Sequence, residues 1–298
     1  MIPVMIECVP NFSEGRNPHT IAALARVIGH LNGIAVLGFE SDADHHRSVI
    51  TFAGEPEAVL EAAVRAAGKA AELIDLRQHI GVHPRVGAAD VVPFVPLDGS
   101  TLEDCVAIAH RAGEEIWRRF RVPVYFYEAA ARIAERKRLE RVRKPGFDGL
   151  PPDIGDVAEH PTAGAVMVGA RRFLIAYNIN LTTPDAAIAK QIAAKIRESS
   201  GGFRFVKAMG LHLPSLGRAQ VSMNLTNFAE IPLDDLYAAV EAEAARLRTT
   251  IAESELIGFI PRAAFEQSPA FFSRIRGFND SRIIEIRIGE LLQSRLVQ

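Results

Sequence analysis

The sequence predicts an α+β protein composed of two ferredoxin-like halves. Residues spaced for strands and for amphipathic helices follow one another in the order β-α-β-β-α-β, and the same order returns in the second half of the chain. The length of 298 residues is about twice that of an average domain, which also favours two units. Each half is then an antiparallel sheet with helices on its outer face. We expect subdomains at residues 1–168 and 169–298, with the functional site between them.

Capping residues and apolar spacing define the elements of the first half. Asn17 followed by Pro18 is typical of an N-cap and a first helical residue. Ser100 and Glu103 have the spacing of a capping box at the start of another helix. The predicted elements are strands at residues 4–12, 34–39, 48–53, 91–97 and 122–127, and helices beginning near residues 18, 56 and 100.

Two segments before the predicted second half are distinguished by their composition. Residues 132–144 hold seven basic and two acidic side chains without interleaved aromatic residues, so they predict a solvated helix and linker and not a nucleic-acid-binding arm. Residues 155–169 contain glycines but neither a Walker lysine nor a dinucleotide fingerprint. This second segment is interpreted as a binding loop or interdomain connector.

The second half repeats the order of the first. It predicts strands at residues 173–181, 203–213, 219–228 and 255–260, a helix capped by Thr183 and Pro184, and a helix near residue 233. Asn178 and Asn180 alternate with apolar residues of their strand, so one face of this sheet is polar. Uncharged amides favour a ligand-lining face over a solvated one, because solvated faces usually carry Lys and Glu.

The amino-acid composition and net charge limit the kinds of molecule that this protein can bind. Apolar residues make up 48% of the chain and charged residues 23%, which excludes a disordered protein. Because 34 Lys and Arg oppose 36 Asp and Glu, no overall field attracts nucleic acid or anionic lipid. We expect small-molecule substrates, and an anionic ligand must then meet local arginines.

Cysteine usage and the N-terminus favour a cytoplasmic protein. Cys8 and Cys105 are too few for a disulfide framework, and each fits a small core position in a strand or helix. The chain begins without a basic signal-peptide region, and no apolar run reaches the ~18 residues of a membrane helix.

Three clusters carry side chains suited to chemistry. Asn11 and Ser13 lie in a loop, residues 11–15, that ends the first strand and presents short polar groups. The turn at residues 40–47 combines carboxylates with two histidines and Arg47, whose guanidinium can fork onto a carboxylate. Asp42, His45 and His46 also suit a divalent metal, although their spacing matches no zinc motif.

The third cluster is the loop at residues 79–90. His83 precedes Pro84, which holds the backbone of the histidine extended. Histidine accepts and returns protons near neutral pH, and Arg85 and Asp90 lie close in sequence. His83 is therefore a candidate general acid and base.

The sequence resembles the glutamate formiminotransferase family, the transferase portion of formiminotransferase-cyclodeaminase. The resemblance spans essentially the whole chain. Its segments are ECVPNFSEG at 7–15, RSVITFAG at 47–54, HPRVGAADVVPFVP at 83–96, VPVYFYE at 122–128 and GARRFLIAYNINL at 169–181, with weaker matches at 219–228 and 255–261. Since no cyclodeaminase portion follows residue 298, we expect the transferase alone.

The resemblance implies transfer of the formimino group of N-formimino-L-glutamate to tetrahydrofolate, a late step of histidine degradation. It also implies a homodimer with folate in a tunnel between the sheets of the two halves. The catalytic histidine of the family corresponds to His83, in the first subdomain. Its folate-binding loop corresponds to residues 155–164, of which we assign Gly155, His160, Pro161, Thr162, Ala163 and Gly164.

The reaction suggests roles for the remaining residues. The formimino group is cationic, so Glu40 or Asp90 is expected to stabilise it, and Arg47 with Arg85 to clamp the carboxylates of glutamate. The polar residues expected to complete the substrate site are Asn11, Ser13, Asn178 and Asn180. We expect tetrahydrofolate as co-substrate and neither a metal nor a redox cofactor.

Two departures from the family keep alternatives open. The family more usually carries Asp where this chain has Glu40, and Asn where it has His46. The alternatives are a folate enzyme using a formyl donor or 5-formyltetrahydrofolate, a metal-dependent hydrolase using Asp42, His45, His46 and His83, and a folate-binding module without activity.

Overall fold

The computed structural model describes residues 4–81, 85–143, 151–156 and 160–296. The chain forms two compact units, Met1–Arg172 and Phe173–Gln298. The first contains a mixed sheet and the second an antiparallel sheet, each with helices, which confirms the predicted α+β class. Among the helices within these ranges, none is both long enough and apolar enough to cross a bilayer.

The described part of the first unit contains a seven-stranded sheet, in which the first two strands share one position, and four α-helices. Its elements are β1 (Ile6–Cys8), β2 (Asn11–Phe12), α1 (Pro18–Gly29), β3 (Ile34–Asp42), β4 (Arg47–Gly54), α2 (Pro56–Leu73), β5 (Ala89–Pro96), α3 (Leu102–Phe120), β6 (Val124–Glu128), α4 (Leu139–Val142) and β7 (Val166–Ala170).

The sheet of the first unit is a ferredoxin-like sheet with an extension. β1 and β2 follow one another along the same column, and both pair antiparallel with β4 on one side and β5 on the other. β3 forms the far edge beside β4. The predicted single strand at residues 4–12 is interrupted at Pro10, which has no N–H for the ladder. β7 and β6 continue the sheet beyond β5 as parallel strands.

β7 corrects the interpretation of residues 155–169. Val166–Ala170 is a fully buried strand and not part of a loop, and the predicted boundary at residue 168 falls inside it. A buried parallel strand lacks the alternation of polar and apolar residues that reveals most strands.

Helices α1, α2 and α3 cover one face of this sheet. Leu24, Val64 and Ile116, one from each helix, belong to the same buried core as Phe52 and Phe94 of the sheet. Both cysteines are buried in this core, as predicted, and burial raises the pKa of each thiol.

Helix caps were predicted at the right places but not always on the right residues. The side chain of Asn17 accepts hydrogen bonds from the first turn of α1, as predicted. The capping box of α3, however, joins Thr101 and Asp104 instead of Ser100 and Glu103. The Ser100 hydroxyl lies instead 2.7 Å from the carbonyl oxygen of Met5.

The second unit repeats the ferredoxin-like arrangement and adds a helical C-terminus. Its elements are β8 (Ile175–Leu181), α5 (Ala186–Ile196), β9 (Val206–Leu213), β10 (Arg218–Leu225), α6 (Leu233–Arg246), β11 (Ile251–Ile257), α7 (Arg262–Gln267), α8 (Pro269–Ser273) and α9 (Ile284–Leu296). The sheet order is β11-β8-β10-β9. Asp185 and not Thr183 caps α5, and β11 begins at Ile251, four residues before the predicted start.

Alternation in β8 and β10 divides this sheet into an apolar and a polar face, as predicted. Tyr177 and Val221 lie in the core of the second unit. Asn180 and Gln220 on the other face are also fully buried, although they are polar. Buried amides need hydrogen-bond partners, and these are described below.

Candidate active site

Three of the predicted clusters meet at one end of the first sheet. β2 ends at Phe12, β3 ends at Asp42, and β4 and β5 begin at Arg47 and Ala89. Because neighbouring strands are antiparallel, the end of one strand lies beside the start of the next. The loop at residues 13–15, the turn at residues 43–46 and the approach to β5 therefore share one end of the sheet.

Asp90 is the centre of this site. The register between β2 and β5 shifts at this point, and Asp90 is the extra residue of the bulge. Its carboxylate is fully buried. Oδ2 accepts hydrogen bonds from Nη1 of Arg47 and Nη2 of Arg143, each at 2.6 Å, and Oδ1 accepts one from the backbone N–H of Val86 at 2.8 Å. The carboxylate thus ties three separate segments together.

The pKa values of Asp90 and Arg47 both lie below their usual range, for different physical reasons. Burial alone would raise the pKa of Asp90, but the guanidinium groups of Arg143 and Arg47 hold it well below its usual range. Burial is the main reason that the pKa of Arg47 falls to about 10; the charge of Asp90 opposes this shift, and the charge of Arg143 adds to it. One carboxylate thus balances two guanidinium groups, which leaves a local positive charge.

Asn11 orients Arg47 from the neighbouring strand. Its Oδ1 accepts a hydrogen bond from Nε of Arg47 at 2.9 Å. Glu40 lies on the same row of the sheet, because Val49 pairs with Glu40 on one side and with Asn11 on the other. The structure therefore brings Glu40, Asn11, Arg47 and Asp90 to one part of the sheet.

His83 lies outside the described residues, but the segments that flank it are fixed. Arg85 donates a hydrogen bond from Nη2 to the carbonyl oxygen of Gly81 at 2.7 Å, which joins the two sides of the loop. His79 stacks on His46, with ring centroids 3.8 Å apart. Asp90 holds the chain again at Val86. Gly81 and Arg85, the described residues nearest His83 on each side, are therefore held together, and Val86 is held by Asp90.

His46 fills a position with unusual backbone geometry. Its φ is 49°, in the left-handed region that Asn enters more readily than most residues. Its ring nitrogens lie 3.1 Å from the carbonyl oxygen of Ile80 and 3.2 Å from Oε1 of Glu14. His46 thereby links the turn to both neighbouring loops.

The loop at residues 13–15 packs closely against the other two. Ser13 is buried and donates a hydrogen bond to the carbonyl oxygen of Gly87 at 2.7 Å. A Cβ on Gly15 would lie 2.1 Å from the carbonyl oxygen of Asp42 and 2.5 Å from the backbone nitrogen of Arg47. Only glycine fits there without a shift of the backbone.

Most of the predicted folate-binding loop lies beside the same segment. Gly164 forms a bridge with Gly87, and Ala88 donates a backbone hydrogen bond to the carbonyl oxygen of Ala163 at 2.9 Å. Nδ1 of His160 accepts a hydrogen bond from the backbone N–H of Ala163 at 3.1 Å, so this side chain stabilises its own turn.

The remaining members of that loop have separate surroundings. Pro161 is exposed at the tip, and Thr162 accepts a backbone hydrogen bond from Leu76. Gly155 lies elsewhere in the unit, against the ring of Trp117.

Sequence reasoning missed one buried arginine and one that is largely buried. The segment at residues 132–144 was predicted to be solvated, and this is wrong for Arg136 and Arg143. Arg136 forms an ion pair with Asp153, with both side chains at most 6% exposed. Arg143 reaches Asp90. The signal was present in Leu139 and Val142, whose i, i+3 spacing provides an apolar face that packs on the sheet.

Asn178 and Asn180 belong to the polar face of the second unit. Nδ2 of Asn180 donates a hydrogen bond to Oε1 of Glu255 at 2.6 Å, and its Oδ1 accepts one from Gln220 at 2.9 Å. Arg218 pairs with Glu253 beside them at 2.9 Å. Asn180 is thus part of a buried polar network.

The described residues contain no group of three histidine, cysteine or acidic side chains placed to hold a metal ion. Asp42 and His45 pair with each other at 2.9 Å, and His46 faces Glu14 instead. The hydrolase alternative therefore has no support within that part of the chain.

Fold and site together define a two-unit α+β protein in which two guanidinium groups share one buried carboxylate at an end of the first sheet. Comparison with known families agrees. The model of the formiminotransferase domain, N-terminal subdomain, matches residues 5–171, and that of the formiminotransferase domain matches residues 176–294. The chain belongs to the formiminotransferase family, which confirms the resemblance seen in its motifs.

Curated relatives match along almost the whole chain. It is 40% identical to a glutamate formimidoyltransferase of Streptococcus pyogenes serotype M1, over 92% of this chain and 95% of that one. It is 38% identical to a glutamate formimidoyltransferase of Thermoplasma acidophilum, over 94% and 96% of the two chains. It is 41% identical to the formimidoyltransferase-cyclodeaminase of Gallus gallus, over 90% of this chain but 52% of that longer protein.

Proposed function

We propose that the protein is a glutamate formimidoyltransferase. It transfers the formimino group of N-formimino-L-glutamate to tetrahydrofolate and releases L-glutamate and 5-formiminotetrahydrofolate. The observation that carries the proposal is the pair of guanidinium groups on Asp90 beside the His83 loop, in a chain similar over its length to enzymes of that name. A donor with two carboxylates suits a site whose charge is positive.

His83 is proposed as general base and acid. N5 of tetrahydrofolate attacks the formimino carbon, and a tetrahedral intermediate forms. The folate nitrogen then loses a proton, the bond to the glutamate nitrogen breaks, and that nitrogen gains a proton. One imidazole that accepts and returns a proton serves both steps near neutral pH.

The geometry favours different roles for the two acidic residues. Both oxygens of Asp90 are engaged by guanidinium or backbone donors, so we propose Asp90 as a positioning residue for Arg47 and for the loop after His83. Glu40 lies three strands away from Asp90, on the row of Asn11, and is half-buried. We propose that its carboxylate stabilises the cationic formimino group.

Arg47 is proposed to bind the donor, supported by Asn11 and Ser13 from the adjoining loop. Arg85 holds Gly81, and we propose that this bond positions His83. Asn178 and Asn180 remain proposed substrate residues of the second unit. The loop with Gly155, His160, Pro161, Thr162, Ala163 and Gly164 is proposed to bind tetrahydrofolate, the co-substrate. The proposed mechanism uses no metal.

The proposed enzyme is a cytoplasmic homodimer. Cys8 and Cys105 are free buried thiols, which suits a reducing compartment. Light scattering at several protein concentrations tests the oligomeric state, and a monomer throughout would contradict it.

The decisive experiment is a transfer assay with purified protein, tetrahydrofolate and N-formimino-L-glutamate, in which acid converts the product to its absorbing methenyl form. We expect turnover in the wild type, loss of turnover in His83→Ala, and normal turnover in His30→Ala, which removes an exposed histidine after α1. If the protein binds tetrahydrofolate but shows no turnover, N-formimino-L-glutamate is not its donor, and formyl donors should be tested next. Full turnover in His83→Ala would remove the proposed base.

A further inference from the structure

The hydrogen bonds around Asp90 leave several guanidinium donors unused. Arg47 uses Nε on Asn11 and Nη1 on Asp90, and Arg143 uses Nη2 on Asp90. Nε of Arg143 is buried and has no hydrogen-bond partner among the described residues. A buried donor without a partner costs stability, so a site that retains one is suited to a ligand that accepts from it.

Asp90 accepts three hydrogen bonds and has room for about one more, which is fewer than the remaining donors of the two guanidinium groups. Its Oδ2 already accepts from both guanidinium groups, and its Oδ1 accepts from Val86. The group of Arg47, Arg143 and Asp90 carries two positive charges and one negative charge. An added carboxylate would balance that charge and accept the remaining N–H groups in the forked geometry that guanidinium favours.

Both arginines remain within reach of a ligand. Their side chains are 11% and 13% exposed, whereas Asp90 is fully buried behind them. Arg85, which the sequence pairs with Arg47, donates a hydrogen bond from Nη2 to the carbonyl oxygen of Gly81. The guanidinium that shares the carboxylate oxygen Oδ2 of Asp90 with Arg47 is that of Arg143.

We propose that Arg143 is a substrate-binding residue, which together with Arg47 clamps one carboxylate of the glutamate portion of the donor. This rests on the proposed function. Asp90 is the shared anchor that keeps the two guanidinium groups side by side. The basic segment before residue 144 thus supplies one specific ligand contact.

The test compares Arg143→Gln with Arg141→Gln. Arg141 is an exposed arginine of the same segment, two residues away, so both variants lose the same charge. We expect Arg143→Gln to raise KM for N-formimino-L-glutamate about 10- to 100-fold, the value of a charge-assisted hydrogen bond. KM for tetrahydrofolate and kcat should stay near wild type, and Arg141→Gln should change none of them.

A purely structural role would give another pattern. The proposal would be wrong if Arg143→Gln raised KM equally for both substrates. It would also be wrong if KM for the donor were the same in Arg143→Gln and Arg141→Gln. Arg143→Lys is the second variant, for use if Arg143→Gln folds poorly. Lysine retains a positive charge beside Asp90 but lacks the planar guanidinium that donates two parallel hydrogen bonds to a carboxylate. We expect a wild-type melting temperature and a several-fold higher donor KM in Arg143→Lys. A wild-type KM in that variant would overturn the proposal.

Binding measurements separate this inference from the proposed function. Calorimetry with N-formimino-L-glutamate should give a Kd for the wild type that weakens at least 10-fold in Arg143→Gln and not in Arg141→Gln. If the wild type binds this compound but transfers nothing, the proposed function fails while the role of Arg143 stands. If the wild type is active and the Kd is the same in both variants, the role of Arg143 fails while the function stands.

Discussion

Asp90 shows how one buried carboxylate can hold several segments of a chain together. Two guanidinium groups and a backbone N–H converge on it, and each comes from a different part of the chain. Its replacement by Asn keeps the shape but leaves two buried positive charges without compensation. We expect Asp90→Asn to lower the free energy of unfolding by about 3–5 kcal/mol, measured by urea denaturation. A loss below about 1 kcal/mol would contradict this account.

The same residue predicts a pH dependence with a definite sign. The pKa of Asp90 is lower in the folded protein than in the unfolded chain, so its stabilising contribution is fully present above the unfolded value of about 4 and disappears as pH falls through the folded value. The stability difference between wild type and Asp90→Asn should therefore be constant from about pH 8 to 5 and shrink below about pH 4. If the stability difference between the two proteins already declined at pH 6, the pH dependence would belong to a titratable group other than Asp90.

At the scale of an element, the loop at residues 13–15 depends on close approach of two backbones. Gly15→Ala would force a Cβ against Asp42 and Arg47, at distances of 2.1 and 2.5 Å. We expect a loss of about 1–3 kcal/mol in stability and a lower kcat/KM, because Arg47 must shift. Gly289→Ala in α9 is the control, since its Cβ meets nothing within 4 Å. That helical substitution should be neutral or stabilise by up to about 1 kcal/mol.

The start of α3 offers a test that separates the observed cap from the predicted one. Thr101 and Asp104 form the capping box, whereas Glu103 was expected to. Thr101→Ala should cost about 1 kcal/mol, and Glu103→Ala less than about 0.5 kcal/mol. Thermal unfolding of both variants measures this, and equal losses would contradict the observed cap.

At the scale of the whole molecule, local periodicity is sufficient for the two ferredoxin-like sheets but not for the complete site. The alternation of Tyr177 and Asn178 predicts which face of β8 lies in the core, because the alternating residues are adjacent in the sequence. Burial of Arg143 depends instead on Asp90, 53 residues away along the chain. The spacing of Leu139 and Val142 indicates an apolar face in this segment, but no short window of sequence contains both Arg143 and its partner Asp90.

The charge of the whole chain and the charge of the site have opposite signs, and this has a measurable consequence. The formal charge is −2, yet the groups on Asp90 leave a local excess of positive charge. Added salt shortens the Debye length from about 10 Å at 0.1 M to about 3 Å at 1 M, so KM for the anionic donor should rise with NaCl.

Arg143→Gln and Arg141→Gln both change the formal charge from −2 to −3. If the site governs donor binding, the slope of log KM against ionic strength should fall in Arg143→Gln alone. Equal slopes in the two variants would instead assign the salt dependence to the molecule as a whole.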